Sequence, residues 1–478
     1  MKRLLIIVTG IVFLIFLYWH WRLGIVRYFD VDEFAYLHWA RLVSLGQRPY
    51  VDFFFYIPPG FLWFLAPLFW LGGRIWPVII ARALSWGVFA TLGVAIGVLF
   101  YRLRAEKKEW WLVLLPGVIL SFLPLPFDKL LEIRPDTLAI LLVFLGMIVQ
   151  TRSTKLFYAG LWYGLSIIVL PKSVPLVAVA AAVAYFSSRK QFVQLVSGLA
   201  VPLGIVGAWL ITLGSWDTVW NSLTRLPFET SKIAQTFVMQ PDLFFYPNST
   251  YYGGAGWSRE LIVNHMVWII GLGLGIYRLF TASKERLVSG MFLVSIVSFM
   301  YLYPLRHAQY LIPIAAFVSF YAADAVFLVW QRMRKNKTGE RMFFVGFIVL
   351  LFFLLQVFLS ANKPKLAWDN KQMQVDMGKI WDIIPKDAYV LDLDGRTLYF
   401  LDPYYVCCLP FGQYEPYLSR PLPSLEEALE RTNTQYIYEG QLARVQTLSQ
   451  EDQTYINAHF RADPRVPGLL IRKPTSLR

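Results

Sequence analysis

The sequence predicts a polytopic α-helical membrane protein of about eleven transmembrane helices, followed by a small C-terminal extracytoplasmic α/β domain. Three observations predict it. Of 478 residues, 57% are hydrophobic and only 16% charged, with a mean hydropathy of +0.49, whereas soluble domains carry about a quarter charged residues. The apolar residues arrive in repeated blocks of membrane-spanning length, which points to helices rather than to the short alternating strands of a barrel. Beyond residue 360 the composition changes abruptly to charge, proline and turn residues. The net charge of +14 fits Lys and Arg gathered in cytoplasmic loops better than nucleic-acid binding. The two cysteines, the adjacent Cys407 and Cys408, exclude a disulfide framework and say little about redox compartment.

The first span, 4–24, follows Met1-Lys2-Arg3 and runs into the bulky Tyr18-Trp19-His20-Trp21 rather than a small-residue cleavage site. It reads as a retained signal anchor with a cytoplasmic N-terminus in the plasma (inner) membrane. Further spans are expected at 77–101, 110–125, 136–150, 156–170, 173–187, 192–213, 261–280, 287–303, 309–330 and 342–360. The connections at 102–108, 151–155, 188–190, 283–286 and 331–341 are short and basic, hence cytoplasmic by the positive-inside rule. The alternate loops, 25–76, 126–135, 171–172, 214–260 and 304–308, then face outward. This alternation requires that 61–71 not span. At about a dozen residues it is too short, and Pro58-Pro59-Gly60 and Gly72-Gly73 interrupt helix on either side. It is expected as a helix against the outer face. In the final domain, 361–478, helices are expected near 368–384 and 424–431 and strands at 388–391 and 435–438. The second helix opens with Ser424-Leu425-Glu426-Glu427, a capping-box pattern.

Ionisable residues gather on the outward side. The first outer loop (25–76, with juxtamembrane helices) carries Asp30, Asp32, Glu33, His38, Arg41 and Asp52. Carboxylates so close to a bilayer lose solvation and seek a cation, a metal or a proton. The second outer loop carries Asp128, Lys129, Glu132, Arg134 and Asp136. Lys172 stands in a two-residue turn between Pro171 and Pro175, and Arg306 and His307 occupy another tight turn. Each such charge has a bland reading, solvated or paired with lipid phosphate. Lys172 resists it, because its turn gives little room to reach water, and a buried phosphate would satisfy it. Asp324, near a cytoplasmic helix end, reads as solvated or paired. The aromatic run Phe53-Phe54-Phe55-Tyr56 reads as interfacial anchoring before a sugar platform. The sequence has no Walker A loop, His-Glu-x-x-His, Gly-x-Ser-x-Gly or dinucleotide fingerprint, so a transferase here would have no obvious nucleotide donor.

Asp32-Glu33-x-x-Tyr36, then Ala40, Gly46, Pro49-Tyr50-x-Asp52 and Pro58-Pro59, resemble the first outer loop of the GT-C glycosyltransferases. The likeness is to the protein O-mannosyltransferase and aminoarabinose lipid A transferase (glycosyltransferase 39-like) group. The resemblance implies a GT-C-like catalytic domain over 1–360, and a polyprenyl-phosphate-linked sugar as donor. It implies an acceptor outside the cytoplasm (lipid, polysaccharide or protein), transfer of a hexose or pentose, and inversion. Carried onto this chain, it puts Asp32 at the leading acidic position, with Glu33 and Asp136 as further catalytic candidates. It puts Lys172, Arg306, His307 and Arg134 at the donor phosphate. Asp30, Tyr36, Asp52 and Asp128 are further candidates. Ile57 stands where related enzymes often carry Lys before Pro-Pro, and Ala35 where they carry a basic residue. A divalent cation (magnesium, manganese or zinc) on Asp32 and Asp136 is left open. The long loop 214–260, with Trp216, Trp220, Tyr246, Tyr251-Tyr252 and Gly253-Gly254, is expected to cover the site. The rival readings are a transporter or flippase for a lipid-linked or anionic substrate, and a non-catalytic assembly protein. The first predicts charges at mid-membrane depth and on both sides, where here they cluster at one.

Overall fold

The computed structural model describes residues 2–72, 74–104, 109–123, 129–152, 155–227, 229, 258–281, 285–303, 308–408, 418–440 and 444–474. The chain divides into two compact units, one of residues 1–25, 82–205 and 238–367 and one of residues 26–81, 206–237 and 368–478.

The first unit is helical. Apolar helices occupy every one of the eleven expected spans, but among the described residues six rather than about eleven are long and apolar enough to cross a bilayer alone. These are 3–26, 76–104, 189–212, 259–281, 309–333 and 337–367, and the chain is a multi-pass integral membrane protein. The expected spans at 110–125, 136–150, 156–170, 173–187 and 287–303 fold as helices of 10–17 residues. At about 1.5 Å per residue these fall short of the roughly 30 Å hydrocarbon core. Length, not hydrophobicity, overturns the count. The helix Ile312–Met333 is the innermost. Phe317, Phe320, Tyr321 and Trp330 on it are fully buried and pack against Phe100, Phe144, Phe292 and Trp111 at ring separations of 5.1–6.1 Å. Elsewhere small residues bring backbones together: a Cβ on Gly160 would lie 2.1 Å from the Leu195 carbonyl, and one on Gly198 1.9 Å from that of Phe157. Only glycine permits the helices Phe157–Val169 and Arg189–Thr212 this approach. Asp324 is buried and accepts from Arg104 Nε at 2.7 Å and Arg278 Nε at 2.8 Å, which settles its reading as paired rather than solvated.

The second unit joins the first outer loop to the C-terminal segment. Its sheet has the order β1 (Val390–Asp392), β2 (Tyr436–Tyr438), β4 (Leu469–Arg472), β3 (Phe460–Ala462). β1 and β2 are parallel, with Leu391 opposite Ile437, and the other pairs are antiparallel. The helices Lys371–Ile383 and Leu425–Arg431 fall where expected, and the second carries the Ser424–Glu427 capping box. The helix Gln450–His459 and strands β3 and β4 lie in a stretch the sequence left unassigned. Residues 60–70 form a short apolar helix, too short to span.

The aromatic run departs from its expected interfacial role. Phe53, Phe54 and Phe55 are all buried. Phe54 belongs to one apolar cluster with Leu391, Leu393, Leu429 and Ile437, and Phe55 packs edge-on against the buried Trp39 at 5.3 Å. Consecutive residues of an extended segment point to opposite faces. All three are buried because the segment has protein on both sides, a tertiary fact that no local pattern encodes.

Candidate functional site

Two groups of the predicted residues take defined shapes, one in each unit. In the first unit the segment before the helix Pro135–Gln150 is dense in charge and almost wholly buried. Lys129 Nζ donates to both Glu132 carboxylate oxygens at 2.9 and 3.0 Å, and Arg134 Nε donates to the same carboxylate. Three charges are thus removed from water together, which is tolerable because each has an opposite partner. Arg134, a candidate for the donor phosphate, is held by Glu132. It is also the residue that leads into the helix, in extended conformation with no side-chain cap. Pro135 opens the first turn, where its missing N–H costs nothing. Asp136 follows it, buried, with its carboxylate at the positive end of the helix dipole.

Asp136 borders a cleft with about 320 Å³ of empty space, lined also by Lys172, Ser173, Tyr303 and Tyr310. Lys172 lies in a 3-10 turn, Pro171–Ser173, between the helices Phe157–Val169 and Val174–Ser187. Its Nζ sits 3.0 Å from the centroid of the Tyr310 ring and 5.5 Å from that of Tyr303. The Tyr303 hydroxyl donates to the Lys172 carbonyl at 3.2 Å and fixes the turn from the other side. Burial brings the Lys172 amine down to about 8 against the upward pull of Asp136, with Arg134 adding to the lowering. Ring faces support a cation without neutralising it, so this ammonium keeps its capacity for an anion. Tyr303 and Tyr310 were missed from sequence. They stand on either side of residues 304–307 in the sequence, and their signal is the aromatic pair itself, which has meaning only beside Lys172.

In the second unit the acidic triplet begins the helix Val31–Ser44. The Asp30 carboxylate accepts from Asp32 N at 3.0 Å, and the Glu33 carboxylate accepts from Asp30 N at 2.9 Å. Together they make a capping box. Two of the three carboxylates are therefore engaged with the backbone of their own helix. The signal was present, since Asp-x-x-Glu before an apolar run is a helix start, but the cluster read first as chemistry. Asp32 occupies the second helical position, half-buried, and its side chain is not part of the box. Tyr36, one turn on, packs edge-on against Phe61 at 5.2 Å and Trp39 at 5.9 Å. Asp52 forms a local fork with Arg48, accepting from Nε at 3.2 Å, Nη2 at 3.0 Å and the backbone N at 2.7 Å. Partial burial works against the charged carboxyl, yet Arg48 holds it below the usual range.

His38 was named from sequence but given no role. It is fully buried, and its Nε2 lies 2.7 Å from the Asp402 carboxylate. Burial alone would discharge the ring, but the Asp402 pair overcomes it and raises the His38 pKa. A ring nitrogen of His38 and the sulfurs of Cys407 and Cys408 lie within 4.8 Å of one another, a group that could hold a metal ion. Its donors are nitrogen and sulfur, which suit zinc and not magnesium or manganese. Asp128, Arg306 and His307, and most of the loop 214–260 with its sequon 248–250, lie outside the described residues.

No protein-family model matches the chain, and no curated protein matches it by sequence. Solved structures match it in fold. ArnT from Cupriavidus metallidurans bound to undecaprenyl phosphate superposes with a TM-score of 0.58 at 13% identity, over 98% of this chain and 98% of that one. The chain shares the fold of this structure. The apo form of ArnT gives 0.58 at 12% identity, covering 96% and 97%. The Archaeoglobus fulgidus oligosaccharyltransferase tethered with an acceptor peptide gives 0.52 at 13% identity, over 98% of this chain and 74% of that one. At such identities the likeness is one of fold. Within this shared fold, the Lys172 cleft and the Asp32 helix are read from the chain's own residues.

Proposed function

We propose that this chain is a membrane glycosyltransferase. It moves a hexose or pentose from a polyprenyl-phosphate donor to an extracytoplasmic acceptor, with inversion, as in the O-mannosyltransferase and aminoarabinose-transferase group its first outer loop resembles. The observation that carries the proposal is the Lys172 ammonium, held over Tyr310 in a cleft shared with Asp136. A lipid phosphate is an anion that reaches such a cleft from the bilayer. The ArnT structure of the same fold was solved with undecaprenyl phosphate bound.

The roles follow the chemistry. The acceptor hydroxyl attacks the anomeric carbon, the bond from that carbon to the phosphate oxygen breaks, and the polyprenyl phosphate leaves with one more negative charge. Lys172 stabilises that charge, an interaction stronger in the transition state than in the ground state. Asp32 takes the proton of the attacking hydroxyl; this assignment stands on the resemblance. Asp136 keeps the Lys172 side of the cleft charged. Arg306 and His307 are assigned to the donor phosphate on the same ground. Glu33 is assigned to positioning Asp32 through the helix cap. We place the N-terminus in the cytoplasm, residues 1–360 as the catalytic membrane domain and residues 361–478 outside.

The test is reconstitution in vesicles with undecaprenyl-phosphate-linked sugars. Release of undecaprenyl phosphate coupled to acceptor glycosylation supports the proposal. Movement of the intact donor across the bilayer with no bond cleaved overturns it in favour of a flippase. Lys172→Met is expected to weaken donor binding by roughly 10- to 150-fold, the value of one charge-assisted hydrogen bond. Unchanged binding removes Lys172 from the phosphate.

A further inference from the structure

Cys407 and Cys408 are adjacent, fully buried and in sulfur–sulfur contact as a vicinal disulfide. As a staple such a bridge has little value, because disulfide stabilisation grows with the length of chain enclosed and here the sequence separation is 1. Their surroundings suit chemistry better than stapling. His38 comes from the helix Val31–Ser44, on which it is wholly enclosed. Asp402 engages its Nε2 at 2.7 Å. Its Nδ1 has no hydrogen-bond partner of normal geometry among the described residues, although the Leu398 backbone also favours the charged ring. With Nε2–H donated to a carboxylate, Nδ1 carries the lone pair. A buried imidazole oriented in this way by an acid is the usual arrangement around a metal-ligating histidine. The Cys408 sulfur packs close against Gly395, whose φ is +76°, since a Cβ there would lie 3.2 Å from it.

We propose that, once a two-electron reductant of the thiol or phosphine class has opened the Cys407–Cys408 disulfide to two thiols, His38 Nδ1 and the two sulfurs, their protons released to water, bind one zinc-class divalent cation, with Asp402 as the positioning residue that orients the ring. The donor set is borderline to soft, so it selects zinc over magnesium and manganese. The site joins the helix that carries Asp32 to the segment that follows β1, residues far apart in sequence and within one compact unit. Its consequence is structural. The cation fixes the helix bearing the acidic cluster, and its loss loosens that helix. The proposal does not depend on the transferase reading and is tested without measuring transfer.

The experiment uses the full-length protein in detergent, reduced with a phosphine and titrated with cobalt(II) as a spectroscopic stand-in for zinc. A thiolate-to-cobalt charge-transfer band saturating at about one equivalent per chain is expected, and zinc should abolish it by displacement. Bound zinc measured by mass spectrometry should fall to less than about a tenth in the Cys407→Ser, Cys408→Ser double variant. Asp402→Asn should keep the band but weaken affinity by about 10- to 100-fold, the signature of an orienting partner rather than a ligand. The unmodified chain decides the matter even if every variant misfolds. A reduced protein with two free thiols and no cobalt band overturns the proposal. So does a vicinal disulfide that resists reduction in the folded protein.

Discussion

Two aspartates, one in each unit, sit at the same position of a helix and meet opposite circumstances. Asp32 and Asp136 each occupy the second residue of a first turn. Asp32 starts a helix whose end is already served, since Asp30 and Glu33 close a capping box around it. Asp136 starts a helix with proline in its first turn and no side-chain cap, behind a buried ion cluster of Lys129, Glu132 and Arg134. One carboxylate stands half-buried in the first turn of a helix whose start its two acidic neighbours already cap. The other is buried beside a cleft that also holds a lysine. Sequence position at a helix start thus says little about a carboxylate's task. Its neighbours decide it.

The comparison can be broken most sharply at Asp32. With Asp32→Asn, turnover is expected to fall by about 10²- to 10⁴-fold, the range of general-base loss, while undecaprenyl-phosphate binding is retained. Full activity would leave Asp32 with no more than its neighbours' structural role. On the other side of the comparison, Glu132→Gln removes the charged acceptor that Lys129 and Arg134 share in a buried cluster. It should cost about 3–5 kcal/mol, visible as lost thermal stability in detergent. A change below about 1 kcal/mol would mean that water reaches the cluster.

The cleft itself is sharpened by pH. Lys172 titrates near 8 in the free protein, and a bound phosphate raises that value by favouring the ammonium. Donor affinity should therefore be flat below about pH 8 and weaken by up to about tenfold per unit above it. Lys172→Arg should remove this dependence, and equilibrium binding of undecaprenyl phosphate across pH checks both. The smallest effect is expected at the cap. Asp30→Ala should cost about 0.5–2 kcal/mol of stability, and Asp30→Ser should restore most of it, because either side chain caps a helix. A loss of turnover in Asp30→Ala that serine does not restore would move Asp30 from the helix start to the chemistry.

Much of the fold was legible because membrane helices announce themselves by composition. Each of the eleven expected spans contains an apolar helix, and the C-terminal domain was marked by its change of composition and the Ser424 capping box. The count of helices long enough to span was not legible to the same degree, since helix ends in an apolar chain depend on the packing of neighbouring helices. β3 and β4 were missed for a related reason: strands of three and four residues carry too few alternations to register as a period. At the site, Lys172 stood out because burying a charge in a two-residue turn demands an explanation. Tyr303 and Tyr310 did not, because aromatic residues are common in this chain and only one face of each ring matters. The Phe53–Phe55 run misled for the same reason, since apolar character alone does not say whether lipid or protein will cover it.

The sequence by itself determined the membrane class, the near locations of the helices and the C-terminal α/β segment. These rest on hydropathy and charge, which act residue by residue. Only the tertiary structure decided that Lys172 meets Tyr310 and that His38 lies with Asp402, Cys407 and Cys408. The last pairing spans 364 residues, and no local pattern reports it. Buried polar groups must find partners wherever the packed chain brings them, and where that is depends on the whole fold.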